Sequence, residues 1–516
     1  MISTSTQLNF RQILLAMLGL SFVLIMVALD QTIIGTALPT IVAELNGFEL
    51  YAWVGTSYLL TSVIALPIFG KLGDDHGRKN FVIVSIVIFT LASVLCGFSQ
   101  NMMQLVIARA IQGIGGGMIV ATTFASVPDL FPDSRQRIRW QVIFSTAYGL
   151  ASAVGPYLGG YLTEYWGWRW VFFVNVPVGV VSLFFVWQHL PKIRHSDHIA
   201  SQLDWQGSIL LTIMLGSLQV FLEWLPLNKP IIILASLGLI TIMSLATLIW
   251  WEKKSKNPII PLEMFKHPNL LPLFILSLLM GFSMFAVMYY APLMFQGGFH
   301  LSPNKAGILI TPLAVSITVG SIVNGRLISR LPNPRIALYL GISLFLANII
   351  FLTQTNIETS RNLILVMMAI GGLGLGFVLP NIILLGQASA PRTQLGSSTA
   401  MLQSMRMIGN MLGAALIGVF ITHAYAHQIH ELIDVPEKNQ WGFWLLDPQI
   451  LVSSTMYEKF ISATQGTGEN GLNLINYARE VLVKVIHLSQ WIVVITTLLA
   501  MALVKLIPNI KLHKKN

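Results

Sequence analysis

Long apolar runs, each bounded by glycine, proline or charged residues, recur along nearly the whole chain. Runs such as 13–29 and 232–250 approach or reach the ~18–20 apolar residues that a helix needs to cross a hydrocarbon core. The pattern predicts fourteen membrane-spanning helices, and therefore an all-α integral membrane protein. These predicted spans lie at about 12–38, 49–70, 80–98, 103–126, 138–162, 169–190, 205–224, 230–251, 269–293, 303–325, 336–353, 361–386, 396–423 and 484–507.

The positions of Lys and Arg test this count, because cytoplasmic loops beside membrane spans carry an excess of these residues. With fourteen spans, most basic residues fall in every second loop, and the short loops between hold only Arg169, Lys229, Lys305 and Arg361. Both termini are therefore predicted to be cytoplasmic, in a multi-pass protein of the cell (inner) membrane. The first run is interpreted as a retained span, since no small-residue cleavage site follows it.

Composition excludes several classes of function. The chain is 54% hydrophobic and 10% charged, against roughly 25% charged residues in soluble domains. The net charge of +10 does not indicate a nucleic-acid partner, because the basic residues are spread over alternate loops. The only cysteine, Cys96, excludes an intrachain disulfide and a cysteine metal cluster. No phosphate-binding loop motif and no catalytic constellation occurs, so neither an ATP-driven pump, an enzyme, a metal nor a cofactor is expected.

A faint internal repeat predicts two related halves. The segment Gly70 to Arg78 and the segment Gly325 to Arg330 fall at the same relative place if spans 7 and 8 are an insert. Duplicated halves with a binding site between them are common in transporters. The predicted division is a six-helix half at 1–195, an inserted helix pair at 196–265 and a second six-helix half at 266–516. The latter includes a long external loop, 424–483, interpreted as a surface hairpin, with docking of an accessory protein as the alternative.

Four charged residues stand out in or near the predicted spans, namely Asp30, Arg109, Glu223 and Arg406. A charge near the centre of a membrane helix costs at least ~2.5–3.5 kcal/mol, so each asks for a functional explanation. A carboxyl group in a low-dielectric cavity changes protonation with water access and nearby cations, so Asp30 is a candidate proton-coupling site with Arg109. The alternative is a fixed ion pair that holds two helices together. Glu223 is predicted to have a peripheral role, facing lipid or a helix interface.

Glycine and proline mark two further helices. In span 4, Arg109, Gly113 and Gly117 share one helix face, where small residues let helices approach closely. Span 5 combines a proline that can kink a helix with a glycine face, and is a candidate gate. The residues of this gate are Gly155, Pro156, Gly159 and Gly160.

The cytoplasmic turn after span 2 contains Gly70, Asp74, Gly77 and Arg78. Its glycines permit tight turning, and Asp74 and Arg78 can form ion pairs with neighbouring helix ends.

Methionine and aromatic side chains suit varied hydrophobic cations, but they suit lipid and core contacts equally. The candidate substrate cavity is lined by Gln31, Gln112, Met288, Tyr289, Gln296 and Arg406.

These motifs together resemble the major facilitator superfamily, specifically its fourteen-span drug:proton antiporter branch of the QacA and EmrB kind. The resemblance covers about 1–425 and the last span. It implies that Asp74, Arg78 and Asp129 form a conformational latch, although Asp75 stands where a basic residue is usual. It also implies that Asp30 couples protons, that Arg109 tunes that site, and that the run around Gly155-Pro156 is the antiporter motif.

The resemblance implies proton-coupled efflux of hydrophobic or cationic drugs and toxic compounds by alternating access, with the proton as coupling ion. The predicted partners are those small compounds and the lipid bilayer. Spans 9 to 14 have no evident buried Asp or Glu, which favours neutral or singly charged compounds over dications. A dedicated exporter of one lipid or metabolite remains an alternative. A membrane scaffold or sensor that has lost transport is the other.

Overall fold

The computed structural model describes residues 10–131, 134–191, 204–225, 229–255, 258–260, 262–328, 331, 333–390, 395–433, 441, 444–464 and 471–507. Throughout these residues the secondary structure is helical, with no strand, which confirms the predicted all-α class. The long helices are α1 (Phe10–Leu45), α2 (Tyr51–His76), α3 (Arg78–Gly97), α4 (Met102–Leu130), α5 (Ser134–Tyr165), α6 (Asn175–His189), α7 (Trp205–Trp224), α8 (Ile231–Glu252), α9 (Leu271–Leu293), α10 (Pro303–Leu327), α11 (Arg335–Leu352), α12 (Arg361–Ser389), α13 (Leu395–Ile433) and α14 (Gly471–Leu503).

Within the described residues, thirteen helical segments are long and apolar enough to cross a membrane. The predicted fifth span, α5, lies outside this set. It is nevertheless a 32-residue helix, about 48 Å long at 1.5 Å per residue, and it packs against both α1 and α10. Each of the fourteen predicted spans therefore coincides with a long helix of one bundle.

The helices pack as two groups and a peripheral pair. In the first group α1 packs on α5 and α6, and α4 on α2 and α3. In the second, α9 packs on α13 and α14, and α12 on α10 and α11. The groups meet where α5 touches α10, α2 touches α13, and α1 touches α9. Helices α7 and α8 pack on each other, and α7 also touches α2 and α13.

The turn after α2 is shorter than predicted. Helix α2 continues to His76 and α3 begins at Arg78, so Gly77 alone separates the two helices. The φ angle of Gly77 is 89°, in the region that glycine adopts without steric cost. The predicted turn from Gly70 to Arg78 is therefore wrong in extent, while the requirement for glycine at position 77 has a direct structural cause.

The long external loop predicted at 424–483 is also shorter and more folded. Helix α13 runs on to Ile433 and α14 begins at Gly471, because no glycine or proline interrupts the chain between 472 and 503. A short helix, Ser454–Thr464, lies between them. Trp441 and Phe460 are buried against each other, with ring centroids 6.0 Å apart. The described part of this segment therefore has packed apolar side chains of its own, and its interpretation as a surface hairpin stays a prediction.

A π-helical turn, Met294–Gly298, extends the end of α9. Such turns are rare and frequently occur at functional sites, because the extra residue per turn redirects side chains. Here the turn contains Gln296, one of the predicted cavity residues. Helical periodicity at the sequence level does not reveal it.

Glycine sets the spacing of α11 and α12. A Cβ atom added to Gly341 would lie 2.6 Å from the carbonyl oxygen of Gly374, so the two backbones touch. We expect Gly341→Ala to lower the free energy of unfolding by about 1–3 kcal/mol through overpacking. Thermal unfolding in detergent, followed by tryptophan fluorescence, measures the change.

Gly216 of α7 is the matched control, because an added Cβ atom there has nothing within 4 Å. Gly216→Ala should leave the unfolding temperature unchanged or raise it, since alanine favours helix over glycine by about 1 kcal/mol. Equal unfolding temperatures for the two variants would contradict the close contact at Gly341.

Candidate functional site

Asp30 of α1 and Arg109 of α4 form an ion pair inside the first helix group. The Arg109 Nη1 to Asp30 Oδ2 distance is 2.6 Å. The two residues are only 3% and 1% exposed, so both charges are removed from solvent. A buried pair of this kind is tolerated only when its geometry is good and its remaining hydrogen-bonding positions are filled.

Neutral polar side chains fill those positions on the carboxylate. Gln112 Nε2 donates to Asp30 Oδ1 over 2.8 Å and to Ser93 Oγ over 2.6 Å. Asn175 Nδ2, on α6, donates to the same carboxylate oxygen over 3.1 Å and to Ser93 Oγ over 3.0 Å. Each oxygen of Asp30 is thus hydrogen-bonded. Ser93 and Asn175 were not among the predicted site residues, and Gln112 belongs to this network rather than to a substrate cavity.

The guanidinium of Arg109 is equally well satisfied. Its Nε donates to the carbonyl oxygen of Val54 on α2 over 3.1 Å, and Nη1 also donates to Gln112 Oε1 over 2.6 Å. Its Cζ lies 4.4 Å from the centre of the Tyr58 ring, which is a cation–π contact. Arg109 therefore ties α4 to both α1 and α2.

Asp30 does not face an open cavity in this state. Its carboxyl is enclosed by α1, α3, α4 and α6, through the contacts of Arg109, Gln112 and Asn175. Its part in proton coupling stays a prediction.

The glycines of the candidate gate in α5 contact two neighbouring helices. Gly155 and Gly159 face α1, where a Cβ atom added to Gly159 would lie 2.5 Å from the Ile33 carbonyl oxygen. Gly160 faces α10, where an added Cβ atom would lie 2.5 Å from the Pro303 carbonyl oxygen. Helix α5 continues through Pro156 without interruption. These glycines therefore let α5 pack closely against α1 of its own helix group and against α10 of the other group.

The two helix groups are joined at the predicted external end. Gln296 of the π-helical turn donates to the Thr36 carbonyl oxygen over 2.8 Å, and Thr40 donates to Gln296 Oε1 over 3.3 Å. Tyr51 Oη donates to the Tyr289 carbonyl oxygen over 3.1 Å. Two of the predicted cavity residues, Tyr289 and Gln296, thus belong to the closure of the external end.

A third set of polar residues lies where the groups face each other nearer the middle. Tyr148 Oη donates to Gln31 Oε1 over 3.0 Å, and both side chains are partly exposed. Arg406 of α13, also partly exposed, interacts electrostatically with Tyr148. The Nε atom of Arg406 has no hydrogen-bond partner among the described residues. Met288 is half-buried, and its backbone carbonyl lies against Gly35 of α1. Of the predicted cavity residues, Gln31, Met288 and Arg406 are partly exposed, and Tyr148, which was not predicted, lies beside Gln31.

The predicted latch is described only in part. The side chains of Asp74 and Asp129 lie outside the described residues, although their backbones belong to α2 and α4. The Arg78 side chain approaches Gly73, and Gly70 faces Ala121 of α4. The latch therefore stays a prediction.

Glu223 of α7 does not face lipid. Its side chain is buried, with 6% exposure of the residue, and accepts a hydrogen bond from Gln219 Nε2 over 2.9 Å. Of the two peripheral placements predicted for it, the structure shows the helix interface.

Comparison with known proteins finds a matching family model and relatives of similar sequence. A family model described as Major Facilitator Superfamily matches residues 20–414. Multidrug transporter protein MdtP of Bacillus subtilis (strain 168) is 34% identical over 406 residues, covering 78% of this chain and 74% of that protein. Multidrug resistance protein 3 of the same organism is 32% identical over 420 residues, covering 80% of each. These relatives are transporters rather than enzymes.

Solved structures share the fold at lower identity. A bacterial homolog of the human lysosomal transporter Spinster, in an inward-facing and unoccupied conformation, has a TM-score of 0.69 and 16% identity, with 97% of this chain and 98% of that chain covered. The xylose transporter XylE from E. coli, in an inward open conformation, has a TM-score of 0.57 and 13% identity, covering 97% of each chain.

The ion pair between Asp30 and Arg109 should contribute to the free energy of unfolding. Asp30→Asn leaves the buried Arg109 charge without a counter-ion, and we expect a loss of about 3–5 kcal/mol. The double variant Asp30→Asn/Arg109→Met removes both charges and should recover much of that loss. Thermal unfolding of the native protein, both single variants and the double variant gives the interaction energy. A double variant no more stable than the worse single variant would contradict the pairing.

Proposed function

Because the chain belongs to the Major Facilitator Superfamily, we propose that it is a secondary active transporter that exports small hydrophobic compounds in exchange for protons. The observation that carries the proposal is the placement of Asp30, a carboxylate inside a membrane helix that is paired with Arg109 and linked to the external closure through α1. The two Bacillus subtilis relatives are named as multidrug proteins, which supports efflux of drugs and toxic compounds.

The geometry supplies a way to couple protonation to movement. In the described state Asp30 is a hydrogen-bonded partner of a cation, which is the environment of an ionised carboxylate. Adding a proton removes the negative charge, weakens the bond to Arg109 and leaves that cation uncompensated. The proton therefore disfavours this packing of α1 against α4.

Helix α1 can carry that change to the external end. Six residues after Asp30, the Thr36 carbonyl accepts the hydrogen bond from Gln296, and Ile33 lies against Gly159 of α5. Under this proposal the described state, closed at the predicted external end, is one in which the transport path does not open to the outside. Protonation from outside and substrate binding from inside would favour opposite states, as antiport by alternating access requires.

The proposed substrates are hydrophobic compounds that are neutral or carry a single charge. Gln31, Tyr148 and Arg406 offer hydrogen bonds and one positive charge, and Met288 offers a polarizable apolar surface. A dedicated exporter of one lipid or metabolite would use the same machinery with a narrower cavity. The proposed location is the cell membrane with both termini in the cytoplasm, as the distribution of Lys and Arg indicates.

Proton exchange is tested in everted vesicles that contain the protein. After a proton gradient is formed, adding a transported compound should dissipate it, as reported by a pH-sensitive fluorophore. We expect Asp30→Asn to lower this response at least tenfold for equal amounts of membrane-inserted protein, because the titrating group is gone.

Glu44→Gln is the matched control on the same helix. Glu44 is largely exposed and pairs with Arg169 at the surface, where an ion pair contributes at most about 1 kcal/mol. This variant should respond like the native protein. A normal response from Asp30→Asn would refute Asp30 as the coupling site, and absence of any response in the native protein with a broad compound panel would favour a scaffold or sensor.

The charge of Arg406 makes a prediction about substrate choice. In a site of low dielectric, a fixed cation repels cationic compounds more strongly than neutral ones. We therefore expect Arg406→Gln to raise the transport of monocationic compounds relative to neutral compounds of similar size. Competition between paired neutral and cationic dyes in the vesicle assay measures this ratio. An unchanged ratio would place Arg406 outside the substrate path.

A further inference from the structure

A small cavity lies at the predicted external end, away from the Asp30 network. It is enclosed by α2, α7, α9 and α13, and its lining includes Glu49, Tyr51, Glu223, Tyr290, Gly418 and Thr422. Its volume is about 20 Å³, which is room for a water but not for a drug-sized compound. Any ligand of this cavity is therefore as small as water or a proton.

Glu223 lies in this cavity without a cation. Among the described residues no Lys, Arg or His is within ion-pair distance of its carboxyl, whose polar contacts are the neutral side chains Gln219 and Thr56. The two tyrosines of the lining donate elsewhere, Tyr51 to the Tyr289 carbonyl and Tyr290 to the Ala414 carbonyl. A carboxylate buried in this way has lost its water and gained no compensating charge.

The neighbouring amide suits a carboxyl group that changes protonation. Gln219 is fully buried, and its Oε1 has no hydrogen-bond partner among the described residues while its Nε2 donates to Glu223. An amide can donate to an ionised carboxylate through nitrogen or, after rotation, accept from a protonated carboxylic acid through oxygen. One side chain thus satisfies Glu223 in either form.

The other titratable groups around the cavity differ from Glu223. Glu49 is exposed at the mouth, and burial raises the pKa of Asp447, which interacts with Glu49 from the following loop. Lys229 is exposed and lies over Trp224 rather than over the carboxyl. The lining of α13 carries no charge. Glu223 is therefore the one carboxyl of the lining that is buried.

Helix α7 places Glu223 beside both helix groups, where their relative position can affect its carboxyl. Helix α7 touches α2 of the first half and α13 of the second, and the cavity lies where these helices meet. Separation of α2 from α13 at the external end would admit water to Glu223. Closure removes that water again.

We propose that Glu223 is a second proton-binding group, which senses external pH and permits closure of the external end only when it is protonated. The inference rests on the proposed alternating motion but not on any transported compound. Its sign follows from burial: the closed state holds the neutral acid, and the open state holds the hydrated carboxylate. Alkaline pH therefore favours opening, and one such group changes the open-to-closed ratio by at most about tenfold per pH unit.

Spin labels on the two halves test this directly. Cysteines replacing the exposed residues Phe98 and Ile357, at the predicted external ends of the first and second halves, report the distance between the halves. Native Cys96 is buried and can stay in place. In lipid nanodiscs the native protein should shift toward longer distances as pH rises. Glu223→Gln should lack this lengthening as pH rises, and any pH response that it keeps should have the opposite sign, which is the one proposed for Asp30. Glu223→Asp should keep the lengthening.

Matched controls are Glu49→Gln and Asp447→Asn, which remove carboxyls at the mouth and should leave the shift in place. Glu223→Met is a second neutral variant for the case that Glu223→Gln does not fold. A pH response of Glu223→Gln or Glu223→Met equal to that of the native protein would overturn the proposal. So would a native protein whose distances do not change with pH, or change with sodium at constant pH instead. Absent transport in the vesicle assay would not alter these distances, so the two failures are distinguishable.

Discussion

The buried charge of Arg109 constrains much of the first half of the protein. A guanidinium removed from water needs a counter-ion and acceptors for its N–H groups, and Asp30, Gln112 and the Val54 carbonyl meet that need. The acceptor on α2 is within reach only because α2 and α4 touch. At Gly117 an added Cβ atom would lie 2.5 Å from the Ser62 carbonyl oxygen, and Ser62 donates to the Gly113 carbonyl over 2.8 Å. The glycines of α4 therefore allow the close approach of α2 that the buried charge of Arg109 needs for its hydrogen bond to Val54.

Helix α1 connects this constraint to the interface between the halves. It supplies Asp30 to the ion pair, packs Ile33 against Gly159 of α5, and offers the Thr36 carbonyl to Gln296 of the π-helical turn. These contacts lie within two helical turns, so a rigid displacement of α1 alters all three. The direct contact of α5 with α10 through Gly160 gives the same displacement a second route to the opposite half.

Sequence predicted the helices well because the bilayer requires each span to be long, apolar and internally hydrogen-bonded. It failed at helix ends outside the hydrocarbon, where α14 begins at Gly471 and α13 continues to Ile433 beyond the apolar runs that the prediction used. Asp30 and Arg109 could be found because charges are rare in apolar runs. Their partners Ser93 and Asn175 could not be found in this way, because small polar residues are common in membrane helices. Which of these residues contact each other depends on how each helix is rotated about its own axis. The proposed division into halves and insert stays a prediction.

The helices α7 and α8 show how the rotation of a helix about its axis decides which side chains are buried. Both α7 and α8 are apolar, yet α8 exposes Ile232, Ile242 and Met243, while α7 turns Gln219 and Glu223 toward α2 and α13. A hydrogen bond between Ser217 and Thr241 ties the two helices together. A helix that touches both halves must follow one of them when they separate and lose its contacts with the other. The pair α7 and α8 is therefore mechanically coupled to the external closure, and a buried carboxyl on its inner face is placed where that coupling responds to charge.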